Sequence, residues 1–484
     1  MSKNIDKLMP DIGMLLIDSI SSENAMPAEI PQHAAPDYSS FNADELDAEL
    51  KKNPLNIEIH RQLFDKRHEQ GDELAALAHM IAAKAIEAYN TTDAGKAEAA
   101  WQLYMVATGY FMKSDYAIAE RWYQLVLMLD PNIAAVYQNM VVIHGYFGRH
   151  EEAEACRARA YQMQRVFVDP IRNPVRQLLI LCVGRTKGNI PYELLLSAET
   201  SQRIKYIIDY AEDVEDSQLP PYDLVFNAIG EPDVAAPLTA RLERFLKACT
   251  RPVLNHPKNV ARTHRHQLPT LLAGIEHVLV APCCRIDVPD LTLDALSDLL
   301  LKEHIWFPVL VRPTETHGGQ GMVFCASPEA VLAQLQTQRA AYYVNSFVDF
   351  KSADGFYRKY RIVYVDKQPY PYHLAISPQW MVHYQTAEML HNPWKIAEEH
   401  LFLQDPAKVL GEKGMSAIVQ IGQRLNLDYA GIDFTILPDG QLFIFEANAT
   451  MLVHRVNSEG VLAHKNAYIL RIADAFEKMQ QLFD

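Results

Sequence analysis

The residues with the clearest capacity for chemistry lie near the end of this 484-residue sequence, in YAGIDFTILPDGQLFIFEANAT, residues 429–450. Ile, Phe and Leu dominate 432–437 and 441–446, and Pro438-Asp439-Gly440 separates them, so two short strands and a tight turn are expected. With Asp439 and Gly440 as a two-residue turn, Asp433 faces Glu446 across the ladder. Asn448, two residues further on, projects to the same side. Two carboxylates and an amide oxygen converging among apolar residues need a counter-charge. As hard oxygen donors they suit Mg²⁺ or Mn²⁺ and not zinc. Taken singly, Asp433 reads as well as an exposed strand charge, and Glu446-Ala447-Asn448 as a polar strand exit. A one-residue slip would put the two acids on opposite faces.

Upstream lie groups suited to the opposite charge. HIWFPVLVRPTETHGGQGMVFCAS (304–327) reads as a strand ending in Arg312-Pro313, a loop with Gly318, Gly319 and Gly321, and a second strand. Glycines let a backbone lie against phosphate oxygens and donate N–H bonds without a Cβ in the way. No Gly-Lys-Ser/Thr follows and the next element is a strand, which excludes a P-loop; a mobile hairpin tip is the plainer alternative. In RKYRIVYVDKQPYPYHLAIS (358–377), Lys359 and Arg361 alternate onto one strand face able to meet phosphate or acyl oxygens, whereas Arg358 reads equally as a solvated edge. His373 and His383 sit among aromatics, as packed core histidines or as substrate contacts.

The elements that must position these groups follow a change in pattern along the chain. Residues 1–43 mix Ser, Asn, Pro and Ala, with one short amphipathic helix expected near Met14–Ile20. Residues 44–168 read as a helical domain. In it Leu103, Tyr110, Ala119 and Val126 find equivalents thirty-four residues on at Tyr137, His144, Ala153 and Ala160, with Gly148 at a turn. A weaker copy runs through His60–Tyr89, with Gly71-Asp72 at its turn. Past Pro170 and Pro174 the pattern becomes strand and helix in alternation: QLLILCVG (177–184), YDLVFNAIGEPD (222–233), an amphipathic helix over 236–249, and RPVLNHP (251–257). Residues 385–427 read mainly as helix and 461–484 as a closing helix. The fold class expected is multidomain, α followed by α/β (α+β).

The helical spacing resembles tetratricopeptide repeats, which stack hairpins around a shared core and commonly hold a peptide or protein. From residue 174 on, the chain resembles the ATP-grasp ligase superfamily, with a pre-ATP-grasp α/β lobe over 174–266 and an ATP-grasp fold over 267–484. The carriers are the F-P-V-L-V-R-P strand, the T-H-G-G-Q-G loop, the hinge strand 342–348, Arg361, and Asp433 with Glu446-Ala447-Asn448. The resemblance implies ATP and Mg²⁺ (or Mn²⁺) as cofactors, with Asp433, Glu446 and Asn448 as metal ligands and Arg361 as the catalytic cation on the γ-phosphate and then the acyl phosphate. Arg265, Arg312, Gly318, Gly319 and Gly321 would contact the nucleotide phosphates, and Asn345 and Phe347 the adenine edge. Arginine stands at 265 and 312 where the family commonly has lysine; it keeps the charge and can be bidentate. Lys359 occupies the place of the usual ribose-binding acid, so Asp349 or Asp354 would take that role.

Composition excludes several classes. A net charge of −15 argues against nucleic-acid or anionic-membrane partners. The six cysteines, at 156, 182, 249, 283, 284 and 325, show no metal-ligand spacing and read as buried thiols of a reducing compartment. No run is long enough for a signal peptide or a membrane span, so a cytoplasmic protein is expected. The function expected is an ATP-dependent carboxylate–amine ligase acting on small-molecule or peptide substrates, with a peptide or protein partner on the helical domain. The alternative is an interaction scaffold whose nucleotide lobe binds without turnover.

Overall fold

The structure, a computed structural model, describes residues 37–89, 93–185, 187–287, 291–316, 318–337 and 341–483. The helix expected near Met14–Ile20 and His317 of the glycine loop lie outside the described residues. The chain divides into two compact units, Met1–Met163 and Gln164–Asp484.

The first unit is helical: α1 (Ala43–Lys52), α2 (Ile57–Glu69), α3 (Glu73–Tyr89), α4 (Asp93–Met112), α5 (Tyr116–Leu129), α6 (Ala134–Tyr146) and α7 (His150–Met163). α1 starts at a capping box in which the Asn42 side chain accepts from the Asp44 and Glu45 amides while Glu45 reaches back to the Asn42 amide. α2–α3, α4–α5 and α6–α7 pair through tight turns, with Gly71, Ser114 and Gly148 in the left-handed conformation that ends a helix compactly. The residues singled out by spacing are the ones that pack: Leu103, Tyr110, Ala119, Val126, Tyr137, His144, Ala153 and Ala160 are all buried. Between α2 and α3 the buried rings of His60 and His79 meet Nδ1 to Nδ1 at 3.0 Å, beside Trp122.

The helical run ends at Met163. Residues 164–168, grouped with the helices on sequence, open the second unit instead. Val-Phe-Val there is β-prone, and β1 (Val166–Val168) pairs antiparallel with β3 (Ser201–Ile207). β3 lies parallel to β2 (Arg176–Cys182), followed by β4 (Leu224–Asn227) and β5 (Val253–Leu254), giving the order β1-β3-β2-β4-β5. β3 escapes sequence patterning because Gln202, Arg203 and Lys205 interrupt its apolar run.

Two further sheets follow. One has the order β7-β10-β8-β9, made by Cys283–Ile286, Tyr342–Ser346, Val309–Pro313 and Val323–Cys325 respectively, all antiparallel. The other has the order β12-β11-β13-β14-β6, from Gln368–Ser377, Tyr357–Val365, Tyr429–Ile436, Leu442–Asn448 and Val278–Leu279. The chain is therefore multidomain, α followed by α/β. Among the described residues no helix is long and apolar enough to cross a membrane.

Candidate functional site

The β13–β14 hairpin forms, but its turn differs from the one expected. Leu437 and Gln441 close a three-residue loop, with Gly440 at φ 85°, and near the turn Phe434 pairs with Ile444 and Ile436 with Leu442. That register alone would miss Glu446 by one residue. A β-bulge at Phe445 adds the missing residue, so Asp433 does pair with Glu446, and Asn448 stands opposite Gly431. The Phe445 ring packs on Phe350 and Phe443, at 4.8 and 5.2 Å between centroids.

A second bulge lies beside the same position. On β11 and β12, Arg361 pairs with His373 and Ile362 with Pro371, leaving Tyr372 as the extra residue. Arg361 is in turn the direct partner of Asp433 on β13. One transverse row of the sheet therefore reads His373, Arg361, Asp433, Glu446. Bulges flank functional rows because they re-aim side chains that a regular ladder would send elsewhere.

The row is densely ion-paired. Arg361 donates from Nε and Nη2 to Oδ1 and Oδ2 of Asp433, at 2.6 and 2.9 Å, and Lys359 Nζ lies 3.3 Å from Oδ2. Both cations thus share the face expected of them. Arg265, on a short turn after His264, donates to Glu446 Oε2. Burial would raise the Asp433 carboxyl, but Arg361 and Lys359 outweigh it and hold it far below the carboxylate range. Burial likewise opposes the Glu446 charge, and Arg265 prevails, bringing that pKa to about 2. Arg312 is buried; its Nη2 donates to the Thr316 carbonyl, and its Nε has no partner among the described residues. Burial and the neighbouring Arg265 push Arg312 down to about 10.

The glycine loop folds back toward this end of the sheet. Gly318, Gly319 and Gly321 take φ of 62°, 80° and 70°, and a Cβ at Gly318 would lie 3.2 Å from His383 Nε2. Burial and then Lys359 and Arg361 lower the His383 pKa, which places that ring in the field of the row. Asn345, Phe347 and Asp349 occupy β10 and its exit, and each makes described bonds within the protein. Asn345 Nδ2 donates to the Ser346 carbonyl, the Phe347 amide to Pro308, and Asp349 accepts from the Lys351 amide. The Phe347 ring stacks edge-on with Phe324 and Trp380. Asp354 is clamped by Arg358, which holds Glu398 on its other side, so of the two acids considered for a ribose Asp349 is the one not tied to a cation in the described contacts.

Sequence reasoning missed a buried network behind Arg265. Asp233 accepts from Arg285 and from the Tyr343 hydroxyl (2.8 Å), and His264 Nδ1 lies 3.3 Å from it. Beside it Glu231 is buried, and its pKa is raised to about 7 by that burial against the pull of Arg265. The only sequence signal was the acidic end of N-A-I-G-E-P-D (227–233), after a buried strand. His373 was singled out only as a ring among aromatics; its Nε2 is buried beside Arg361 without a partner among the described residues, a cost normally met by a bonding group.

Among the described residues no group of three His, Cys, Asp or Glu side chains has metal-holding geometry. The oxygen donors of this site are two carboxylates and the Asn448 amide, which accepts from Thr450 Oγ1 at 3.1 Å. Their chemistry fits Mg²⁺ or Mn²⁺ once Arg361, Lys359 and Arg265 turn to another anion.

No protein-family model matches the chain, and neither does any curated protein. Solved structures similar to it include a D-alanine–D-alanine ligase from Bacillus anthracis complexed with ATP, at 11% identity, 63% of this chain, 98% of that one and TM-score 0.37. Another is the VanG D-Ala:D-Ser ligase from Enterococcus faecalis, at 10%, 64%, 99% and 0.40. A third is a RimK domain protein ATP-grasp from Sphaerobacter thermophilus, at 13%, 62%, 97% and 0.36. At these scores the likenesses carry no weight for the site, which rests on its own geometry.

Proposed function

We propose that the second unit is an ATP-grasp carboxylate–amine ligase that forms an amide through an acyl phosphate, with the pre-ATP-grasp lobe over 174–266 and the ATP-grasp fold over 267–484. The observation that carries this is the transverse row: Arg361, Asp433 and Glu446 in register, Asn448 beside them, and Arg265, Arg312 and Lys359 around them. Arg361, Arg265, Arg312 and Lys359 surround the carboxylates of Asp433 and Glu446, with Glu231 beside Arg265, and the cations outnumber the acids, which complements a metal-bearing triphosphate.

In this reading Arg361 and Arg265 leave the carboxylates for the phosphoryl oxygens, and Arg312 meets the phosphates with its Nε. Gly318, Gly319 and Gly321 approach the phosphates with backbone N–H groups. Asn345 and Phe347 border the base, and Asp349 the ribose. Mg²⁺ held by Asp433, Glu446 and Asn448 would neutralise phosphate charge. The substrate carboxylate attacks the γ-phosphorus and ADP leaves. Arg361 then stays on the acyl phosphate while a neutral amine attacks the carbonyl, expelling inorganic phosphate and losing a proton to solvent. No protein nucleophile is needed, which agrees with the lack of a Ser-His or Cys-His arrangement in the sequence. The first unit, in its tetratricopeptide-like spacing, would present a peptide or protein, and the composition suits a cytoplasmic enzyme without nucleic-acid or membrane partners.

ADP release across a panel of carboxylates and amines, with Asp433→Asn as control, tests the proposal. Release that requires both substrates and vanishes in the variant supports it. The pairing of both carboxylates with protein cations favours, as second reading, a nucleotide-binding scaffold; Mg²⁺-dependent ATP binding with no ADP from any pair would support that instead.

A further inference from the structure

Resting on the assignment of this row to a nucleotide, we infer that the site is interlocked: its own cations close the metal ligands until a polyphosphate draws them away, so that a divalent ion enters only with or after the phosphates.

Each ligand residue has at least one oxygen engaged within the protein. Both Asp433 oxygens accept from Arg361, Lys359 Nζ adds a second positive charge at 3.3 Å, Glu446 Oε2 accepts from Arg265, and Asn448 Oδ1 accepts from Thr450. The principal contact is set by the backbone. Arg361 and Asp433 are direct cross-strand partners, so their Cβ atoms stand about 5 Å apart whatever the surrounding loops do. Bidentate guanidinium–carboxylate pairs are among the stronger charge-assisted bonds. A bare divalent ion would have to break this one in a partly dehydrated place, strand a guanidinium, and do so beside the charges of Lys359, Arg265 and Arg312.

A polyphosphate meets no such barrier. Arg312, 7% exposed, has an Nε with no partner among the described residues, and its described side-chain bonds go to Thr316, so within the described contacts it is a cation in the group not hydrogen-bonded to a carboxylate. It can receive phosphate oxygens first. Arg265, Lys359 and Arg361 can then exchange carboxylate for phosphate without losing a counter-ion, and the freed Asp433 and Glu446 become ligands. The exchange makes metal binding conditional on the nucleotide and keeps free divalent ions out of the resting protein.

The test uses Mn²⁺ alone, followed by electron paramagnetic resonance, and inorganic tripolyphosphate in EDTA, followed by calorimetry, on the full chain. The parent is expected to bind tripolyphosphate without metal and to show no tight Mn²⁺ site. Arg361→Gln is expected to gain Mn²⁺ binding, about tenfold tighter or more than the parent, and a melting midpoint that Mn²⁺ raises. Lys359→Met, at a less buried position, should gain in the same direction and decides the matter if Arg361→Gln does not fold. Equal Mn²⁺ affinity in parent and variants, or tripolyphosphate binding only when metal is present, overturns the interlock. Failure of the parent to bind ATP even with Mg²⁺ overturns instead the nucleotide assignment on which it stands.

Discussion

Asp433 keeps its charge where burial opposes it, because Arg361 and Lys359 stand against it, and that balance makes single substitutions informative. Asp433→Asn would leave both cations without a counter-ion in a nearly closed site. We expect a loss of about 3–5 kcal/mol in chemical denaturation and a fall in ADP release of about a hundredfold or more. Retained activity would remove the carboxylate from the chemistry. His60 and His79 offer a separate residue-scale test in the first unit. Burial lowers their pKa values to about 4 and about 3, with His60 and nearby cations Arg67 and Arg121 adding to the effect on His79 and the Pro54 carbonyl opposing it on His60. The unfolded chain therefore takes up protons that the folded one refuses, starting near the ordinary histidine pKa of 6.5. The stability contribution is complete above that pH and is lost as pH falls through it toward 4. Between pH 7.5 and 5.5 the first unit should lose about 2–3 kcal/mol, read from Trp122 fluorescence in denaturant titrations; no loss would mean the pair is already protonated or exposed.

Elements position the row by two one-residue irregularities, and here the sequence was only half legible. The opposition of Asp433 and Glu446 was expected from a two-residue turn. It arises instead from a three-residue turn and a bulge at Phe445 that offset each other. Periodicity cannot reveal a bulge, because its place is chosen by packing at a distance: Phe445 against Phe350, nearly a hundred residues upstream. The pairing of His373 with Arg361 was hidden for the same reason, through the extra residue Tyr372. The alternation that put Lys359 and Arg361 on one face is a local property and was legible. Gly431 shows how closely the strands approach. A Cβ there would lie 2.5 Å from Met451 Cγ and 3.0 Å from the Ile362 carbonyl. Gly431→Ala should cost about 1–3 kcal/mol and, because Gly431 faces Asn448, weaken Mg²⁺-dependent ATP binding. Unchanged stability together with unchanged binding would show that the hairpin has room the geometry denies it.

At the scale of the molecule, the chain comprises two compact units of different construction. Helical hairpins and alternating strands were visible from residue patterning, since each is written in a local period. The strand at Val166–Val168 and β3 were not, because short or charge-interrupted strands gain their stability from neighbours. Two units imply two unfolding transitions in calorimetry, and Mg²⁺ with ATP should move only the one belonging to the second. At a hundredfold excess over Kd the stabilisation is about 2.7 kcal/mol. A single transition, or a shift of the helical unit alone, would contradict the placement of the nucleotide.

The row His373, Arg361, Asp433, Glu446 is the proposed meeting place of triphosphate and metal. A crystal structure with Mg²⁺ and a non-hydrolysable ATP analogue tests it most directly. A metal ion is expected about 2.1 Å from oxygens of Asp433, Glu446 and Asn448, with Arg361 and Arg265 turned from those carboxylates onto phosphate oxygens. A nucleotide bound elsewhere, or bound here with the Arg361–Asp433 pair intact and no metal on Asp433, would contradict it.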